Sequence, residues 1–232
     1  DFSKLRVCVS GGATLPVTIA QQFKAKFNID ILEGYGLSEA SPVVAVNPLG
    51  KPKVGSIGKI LPGLNTKLVD DTGTEVPLGE IGELLVQGPT VMNGYYNLPE
   101  ATAKTIINGW LHTGDLAYKD ADDYYFIVDR LKDMIINNGE NIYPREIEEL
   151  LYAYPGIIEA AVVGIDDPLR GQTAAAYIVM TEDSAFDKKK LKKYLAENLA
   201  IYKIPREFHQ MSTLPKTSTG KILKRALSRQ GK

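Results

Sequence analysis

Between Val54 and Val128 the chain is interrupted so often by turn-forming pairs that no long helix fits there. Pro62-Gly63, Asp71-Thr72-Gly73, Pro77-Leu78-Gly79 and Asn108-Gly109 separate short stretches in which apolar and polar residues alternate. Proline pre-sets one turn torsion and glycine accepts the positive φ that many tight turns require, so each pair is a turn with a physical cause. The intervening runs Gly55–Ile60, Thr66–Val69, Gly82–Gln87, Leu116–Tyr118 and Tyr124–Val128 are therefore predicted as strands of a small barrel-like or open β-subdomain. A short helix is predicted over Pro99–Ile107, and an acidic turn over Lys119–Asp123.

The two flanks read differently. Leu5–Ser10 is predicted as a buried strand, Gly11-Gly12-Ala13 as a tight turn, Pro16–Phe27 as a helix with a stripe of Ile19, Ala20, Phe23 and Phe27, and Ile29–Leu32 as a second strand. A second glycine turn is predicted at Gly34–Gly36. That is a βαβ pattern with its turns at the carboxyl ends of strands, where parallel sheets bind ligands. After Asp129 come a charged junction, Asp129–Asp133, and a glycine-containing loop, Asn137–Asn141. A helix opened by Pro144 follows, with Ile147, Leu150, Leu151 and Tyr154 on one face. Strands over Ile158–Ile165, Thr173–Met180 and Glu207–Met211, a helix carrying Leu191, Leu195 and Leu199, a polar loop Pro215–Gly220 and a helix Ile222–Ser228 complete the chain. The predicted class is α/β followed by α+β. Residues 1–131 are predicted to form one domain (1–50 α/β, 51–128 β-rich), and residues 132–232 a second, compact one.

With 44% hydrophobic and 24% charged residues, the composition is that of a water-exposed globular protein, and no apolar run reaches membrane-spanning length. One cysteine, Cys8, excludes an internal disulfide framework, and its place between Val7 and Val9 reads as a small core residue. A cytoplasmic location is the default expectation. The formal charge is −1, but a basic carboxyl-terminal segment is set on an acidic remainder. No aromatic-interleaved basic stripe points to nucleic acid. His112 and His209 have neither a nucleophile nor metal-ligand spacing around them, which reads as ordinary histidines. The chain opens Asp1-Phe2-Ser3, without Met or signal peptide, and enters a strand almost at once, which reads as a piece of a longer protein.

The densest chemistry lies between Asn108 and Leu151: a turn with a carboxylate at His112-Thr113-Gly114-Asp115, then Asp129-Arg130-Leu131-Lys132-Asp133, then Asn138-Gly139-Glu140-Asn141-Ile142-Tyr143-Pro144. Together with Ser10–Ala13 and Gly34-Tyr35-Gly36-Leu37-Ser38-Glu39, this ordered series resembles the AMP-forming acyl-CoA synthetases of the adenylate-forming superfamily. The resemblance implies ATP (leaving as AMP), Mg²⁺ and coenzyme A as cofactors or co-substrates. It implies small-molecule partners, with contact at a membrane surface left open. Tyr35 is implied to stack on adenine opposite the Gly12-Ala13 backbone, with Glu33, Gly34, Gly36 and Ser38 completing the nucleotide wall. Close backbone approach is the implied reason for glycine there. Glu39 is implied to hold Mg²⁺, a hard cation that prefers carboxylate and phosphate oxygens. Asp115 is implied to accept the ribose hydroxyls, with Arg130 at the ribose-phosphate end.

By the same resemblance Lys132 is the hinge, Lys221 in Thr217-Ser218-Thr219-Gly220-Lys221 assists acyl-adenylate formation, and Gly139, Glu140, Asn141, Arg170 and Lys203 meet coenzyme A. The strings Gly94-Tyr95-Tyr96-Asn97-Leu98-Pro99-Glu100 and Asn138–Glu148 look most like fatty-acid–CoA ligases. Aryl-acid ligases of the coumarate type, or a stand-alone nucleotide- or CoA-binding module, are the alternatives. The family's Ser/Thr/Gly-rich phosphate loop has no counterpart in these 232 residues, so the chain alone is expected not to adenylate. The loop at Pro215–Lys221 is expected to be mobile.

Overall fold

The computed structural model describes residue 2 and residues 4–228. They form two compact units, Asp1–Leu131 and Lys132–Lys232. In the first, β1 (Cys8–Gly11), α1 (Val17–Phe27) and β2 (Ile31–Gly36) make a βαβ unit with β1 and β2 parallel. β3 (Val43–Val46) and β4 (Lys59–Ile60) extend this sheet antiparallel, in the order β1-β2-β3-β4. A second, antiparallel sheet holds β5 (Asn65–Val69) and β6 (Gly82–Gln87); after α2 (Pro99–Thr105) come its remaining strands, β7 (Ile106–Ile107), β8 (Trp110–Lys119) and β9 (Tyr125–Arg130). One core serves both sheets: Val44 and Ala45 of β3 pack with Leu84, Val86, Leu111 and Tyr125. Burying a leucine such as Leu84 or Leu111 contributes about 1.5–3 kcal/mol.

Five local expectations change. β1 is shorter than Leu5–Ser10 and is not buried, because it is the outermost strand; Val7 and Val9 are 43% and 61% exposed, and Cys8 is only half-buried. Gly34–Gly36 is not a turn but the end of β2, carried on by antiparallel pairing of Gly34, Tyr35 and Gly36 with Val46, Ala45 and Val43. His112–Asp115 is likewise strand, in the middle of β8, where register shifts against both neighbours absorb the irregularity. The strand over Gly55–Ile60 shrinks to Lys59–Ile60, since Gly55 and Gly58 take φ of 82° and 84°. The helix over Pro99–Ile107 stops at Thr105, and Ile106–Ile107 turn back onto β8 through Asn108-Gly109. Both turn residues have positive φ, as a two-residue hairpin demands.

Gly58 is the tightest of these positions. A Cβ there would stand 2.1 Å from the Val46 carbonyl carbon, and its backbone bridges to Tyr125. Gly58→Ala is expected to destabilise the fold by about 3 kcal/mol or more, combining left-handed strain with backbone overlap. Gly73→Ala, with φ of 82° but open space around the added methyl, should cost only about 1–2 kcal/mol. Urea unfolding of the two variants checks the difference.

In the second unit β10 (Ile135–Asn137) and β11 (Glu140–Ile142) form a hairpin, not the open loop predicted, because Asn138-Gly139 take φ of 51° and 85°. After α3 (Pro144–Ala153) the long hairpin β12 (Ile157–Asp167) and β13 (Gly171–Met180) forms the centre of the sheet. α4 (Lys188–Asn198) begins at Asp187, whose carboxylate accepts from the Lys189 and Lys190 amides, a cap worth about 1 kcal/mol. β14 (Glu207–Gln210) joins β13 in parallel, and α5 (Lys224–Leu227) is shorter than predicted. Alternation along the central strands divides the core. Ala160, Val162, Ala174, Ala176 and Ile178 meet α3 and α4, while Ala161, Val163, Ala175, Tyr177 and Val179 meet Leu214 and Leu227. No helix among the described residues is long and apolar enough to cross a membrane.

Candidate active site

In the first unit three of the singled-out residues, far apart in sequence, touch. The β8–β9 pairing sets Asp115 opposite Arg130, and Arg130 Nε lies 3.0 Å from Asp115 Oδ1. Tyr35, from β2, donates its hydroxyl to Asp115 Oδ2 at 2.5 Å. The carboxylate is almost fully buried, with 3% of the residue exposed. Burial first, and the adjacent Asp115 charge second, push the Tyr35 hydroxyl far above the ordinary phenol range, which suits it to donate to the carboxylate. Arg130 thus takes Asp115 as its ion-pair partner, and Asp129 instead accepts from the Arg130 amide at 2.7 Å.

Local bonds hold Asp115 in this place. Thr113 Oγ1 donates to the Leu84 carbonyl at 2.7 Å and accepts from the Asp115 amide at 3.1 Å. Glu83 takes the Gly114 amide at 3.0 Å and His112 Nδ1 at 2.9 Å. His112 is therefore an oriented structural side chain, and His209 similarly stacks on Tyr177 and meets Glu207. Glu83 was not singled out from the sequence; an acid in an otherwise apolar strand was the available signal.

Gly12 and Ala13 follow directly from β1 at the carboxyl edge beside Gly34, and both are exposed. Gly12 has φ of 83° and open space where a Cβ would stand, so backbone conformation, not crowding by protein atoms, requires glycine there. Glu33 is buried, and its carboxylate accepts from the Leu15 amide at 3.3 Å, tying the turn to β2. Ser38 is exposed on the short 3₁₀ turn Ser38–Ala40. On the same turn Glu39 is held twice by the segment after β6. Tyr95 donates its hydroxyl to Glu39 Oε1 at 2.8 Å, and the Met92 amide donates to the Glu39 carbonyl at 2.8 Å. That bond to Glu39 raises the Tyr95 hydroxyl above its usual range. Among the described residues no cluster of three or more His, Cys, Asp or Glu could hold a metal. A cation at Glu39 would therefore rely on ligand oxygens, the habit of Mg²⁺ bound with phosphates.

The second unit carries the remaining residues. Gly139 lies in the β10–β11 turn with Glu140 and Asn141 beside it on β11, all exposed. The Asn138 amide donates to the Arg170 carbonyl at 2.9 Å, which places Arg170 next to that turn. Lys203 is paired with Glu146 of α3 at 2.7 Å. Lys132 is exposed within the 3₁₀ turn Leu131–Asp133, where one compact unit gives way to the other. Lys221 closes a turn: the Thr217 amide donates to the Lys221 carbonyl at 2.8 Å, and the Lys221 amide to Thr217 Oγ1 at 3.1 Å.

Residues 1–96 match the family model described as AMP-binding enzyme, and residues 146–221 match the AMP-binding enzyme C-terminal domain. A long-chain-fatty-acid–CoA ligase of Bacillus subtilis is 44% identical over 98% of this chain and 41% of its own length. A feruloyl-CoA synthase of an Amycolatopsis species is 42% identical over 99% of this chain and 47% of its own. Among solved structures, an anthranilate CoA ligase in complex with anthranoyl-AMP superposes with a TM-score of 0.93 at 35% identity, covering 100% of this chain and 46% of that one. The chain thus spans less than half the length of these relatives. Matched by two models of one family and by relatives along nearly its whole length, the chain belongs to the AMP-binding enzymes, among the AMP-forming acyl-CoA synthetases.

Proposed function

We propose that the complete enzyme carrying this chain joins a carboxylic acid, in the first instance a fatty acid, to coenzyme A at the expense of ATP. The acid's carboxylate oxygen attacks the α-phosphorus, the bond to the β-phosphate oxygen breaks, and pyrophosphate leaves. The coenzyme A thiol, giving up its proton, then attacks the acyl carbon and AMP departs. The Tyr35–Asp115–Arg130 cluster carries this reading: a buried carboxylate, aimed by a phenol and a guanidinium, suits a vicinal diol beside a phosphate. Tyr35 supports it twice, with its hydroxyl on Asp115 and its ring as a surface for adenine opposite Gly12-Ala13. Gly34, Gly36 and Ser38 continue the wall, and Glu33 contributes by holding the turn. Glu39, oriented by Tyr95, is the residue to meet Mg²⁺, which when bound neutralises phosphate charge. In the second unit Lys221 serves adenylation, while Gly139, Glu140, Asn141, Arg170 and Lys203 serve coenzyme A.

The similarity to a feruloyl-CoA synthase favours an aryl acid as the second reading. Acid-dependent pyrophosphate release and thioester formation by the complete enzyme, measured over fatty and hydroxycinnamic acids, decides between them. Absence of any acid-dependent release would sink the reaction itself. Asp115→Asn keeps the side chain's shape and an acceptor for Tyr35, but weakens two charge-assisted bonds, each worth about 1.5–3 kcal/mol. The KM for ATP is expected to rise on the order of 10²-fold or more, and the melting temperature to fall as well, because Asp115 also anchors Tyr35 and Arg130 within the fold. An unaltered KM would remove Asp115 from the ribose.

A further inference from the structure

Three lysines lie close together around the Thr217–Lys221 turn, and the structure treats them differently. The Lys216 ammonium is paired with Glu159 of β12. Lys224 Nζ lies 2.7 Å from Glu148 Oε1 of α3, with side chains only 26% and 15% exposed. That same oxygen accepts from the Val162 amide at 2.7 Å, which fixes Glu148 to β12. Lys221 is exposed, and among the described residues no carboxylate pairs with its ammonium. Between the two pairs the chain is closed by the bridge between Lys216 and Ile222 and by the Leu223 amide donating to the Pro215 carbonyl at 2.8 Å. On either side Leu214 and Leu227 are buried.

We propose that Glu148 and Glu159 are positioning residues for Lys221: they pin the two ends of its hairpin and neutralise the lysines that flank it. The inference rests on the reading of Lys221 as the lysine of adenylation. Ammonium groups carried by one short turn repel one another and would compete for the same phosphate. With Lys216 and Lys224 engaged by carboxylates, Lys221 is the one lysine of the three presented to an anion. Misplacing such a group by about 1 Å costs on the order of 10²-fold in rate.

Two experiments test this. In the complete enzyme, Glu148→Gln with Glu159→Gln should lower kcat for adenylation by ten- to a hundredfold, on that order, leave the KM for ATP within about threefold, and spare thioester formation from supplied acyl-adenylate. Exchanging the charges of one pair, Lys216→Glu with Glu159→Lys, should keep most of the parental kcat, which mere loss of packing would not explain. On residues 1–232 alone, trace labelling of amines should find Lys221 more reactive than Lys216 and Lys224, and the two Gln substitutions should remove that difference. Equal reactivity of the three lysines in the parent chain, or parental kcat in the double variant, overturns the inference. If Lys221→Ala is itself harmless, the assignment of Lys221 fails and takes the inference with it; if only the glutamates are dispensable, that assignment stands.

Discussion

Lys221→Ala is expected to cut adenylation by the complete enzyme by about 10²–10³-fold, the usual cost of losing one preorganised group that stabilises charge developing in a transition state. The side chain leaves the surface of a closed turn, and among the described residues no carboxylate pairs with its ammonium. Truncating it breaks no ion pair among the described residues, so folding stability should barely move. Thioester formation from supplied acyl-adenylate should survive, because the nucleotide bond it acts on has by then been formed. Pyrophosphate release and thiol consumption, followed separately, give the two numbers. Lys224 is a poor control, since its pairing with Glu148 makes it part of the support. Lys193, with 81% of its side chain exposed and a 4.0 Å contact to Glu197, is a better one. Parental adenylation in Lys221→Ala would remove the lysine from the chemistry.

The other large effect is expected at Lys132. It lies in the short 3₁₀ turn Leu131–Asp133, exposed, where the two compact units of the chain meet in sequence. A hinge works by letting a few residues adopt more than one backbone state. Proline confines φ to about −65°, so Lys132→Pro should keep one orientation of the units and deny the other. The denied half-reaction should fall by about 10²-fold or more, as when a competent state drops to about one molecule in a hundred. The other half-reaction should continue, and both units should melt normally. Lys132→Ala, which leaves φ free, should retain both halves. Equal losses in both halves of the proline variant, with unchanged melting, would argue against a hinge at this residue.

Elements governed by local chemistry were legible in the sequence. The βαβ unit, the helix opened by Pro144 and the strands β5 and β6 each follow from a pattern confined to a few residues. Elements governed by a partner strand were not. Gly34–Gly36 and His112–Asp115 have the small and polar residues of turns, yet both are strand because β3 and β6 supply ladders beside them. The Asn138-Gly139 pair is itself a hairpin signal, but the strands it joins, Ile135–Asn137 and Glu140–Ile142, are too short for an alternating pattern to mark them. At the site, motif likeness singled out Tyr35, Asp115 and Arg130 separately. Their contact depends on the β8–β9 register and on how two sheets share one core, neither of which is encoded in any short window. The supports Glu83, Tyr95, Glu148 and Glu159 were missed for the same reason: each acts on a residue distant in sequence.

The outermost position of β1 has a practical consequence for handling the protein. Among the described residues one side of Cys8–Gly11 has no strand beside it, and Val7 and Val9 are exposed. Unpaired amides and carbonyls next to exposed valines form a template onto which a strand of another molecule can dock. Lys4 and Arg6, both exposed, supply like-charge repulsion against such docking, and salt weakens it. Solutions of residues 1–232 should therefore self-associate more readily as ionic strength rises, and a charged residue in place of Val9 should keep them dispersed.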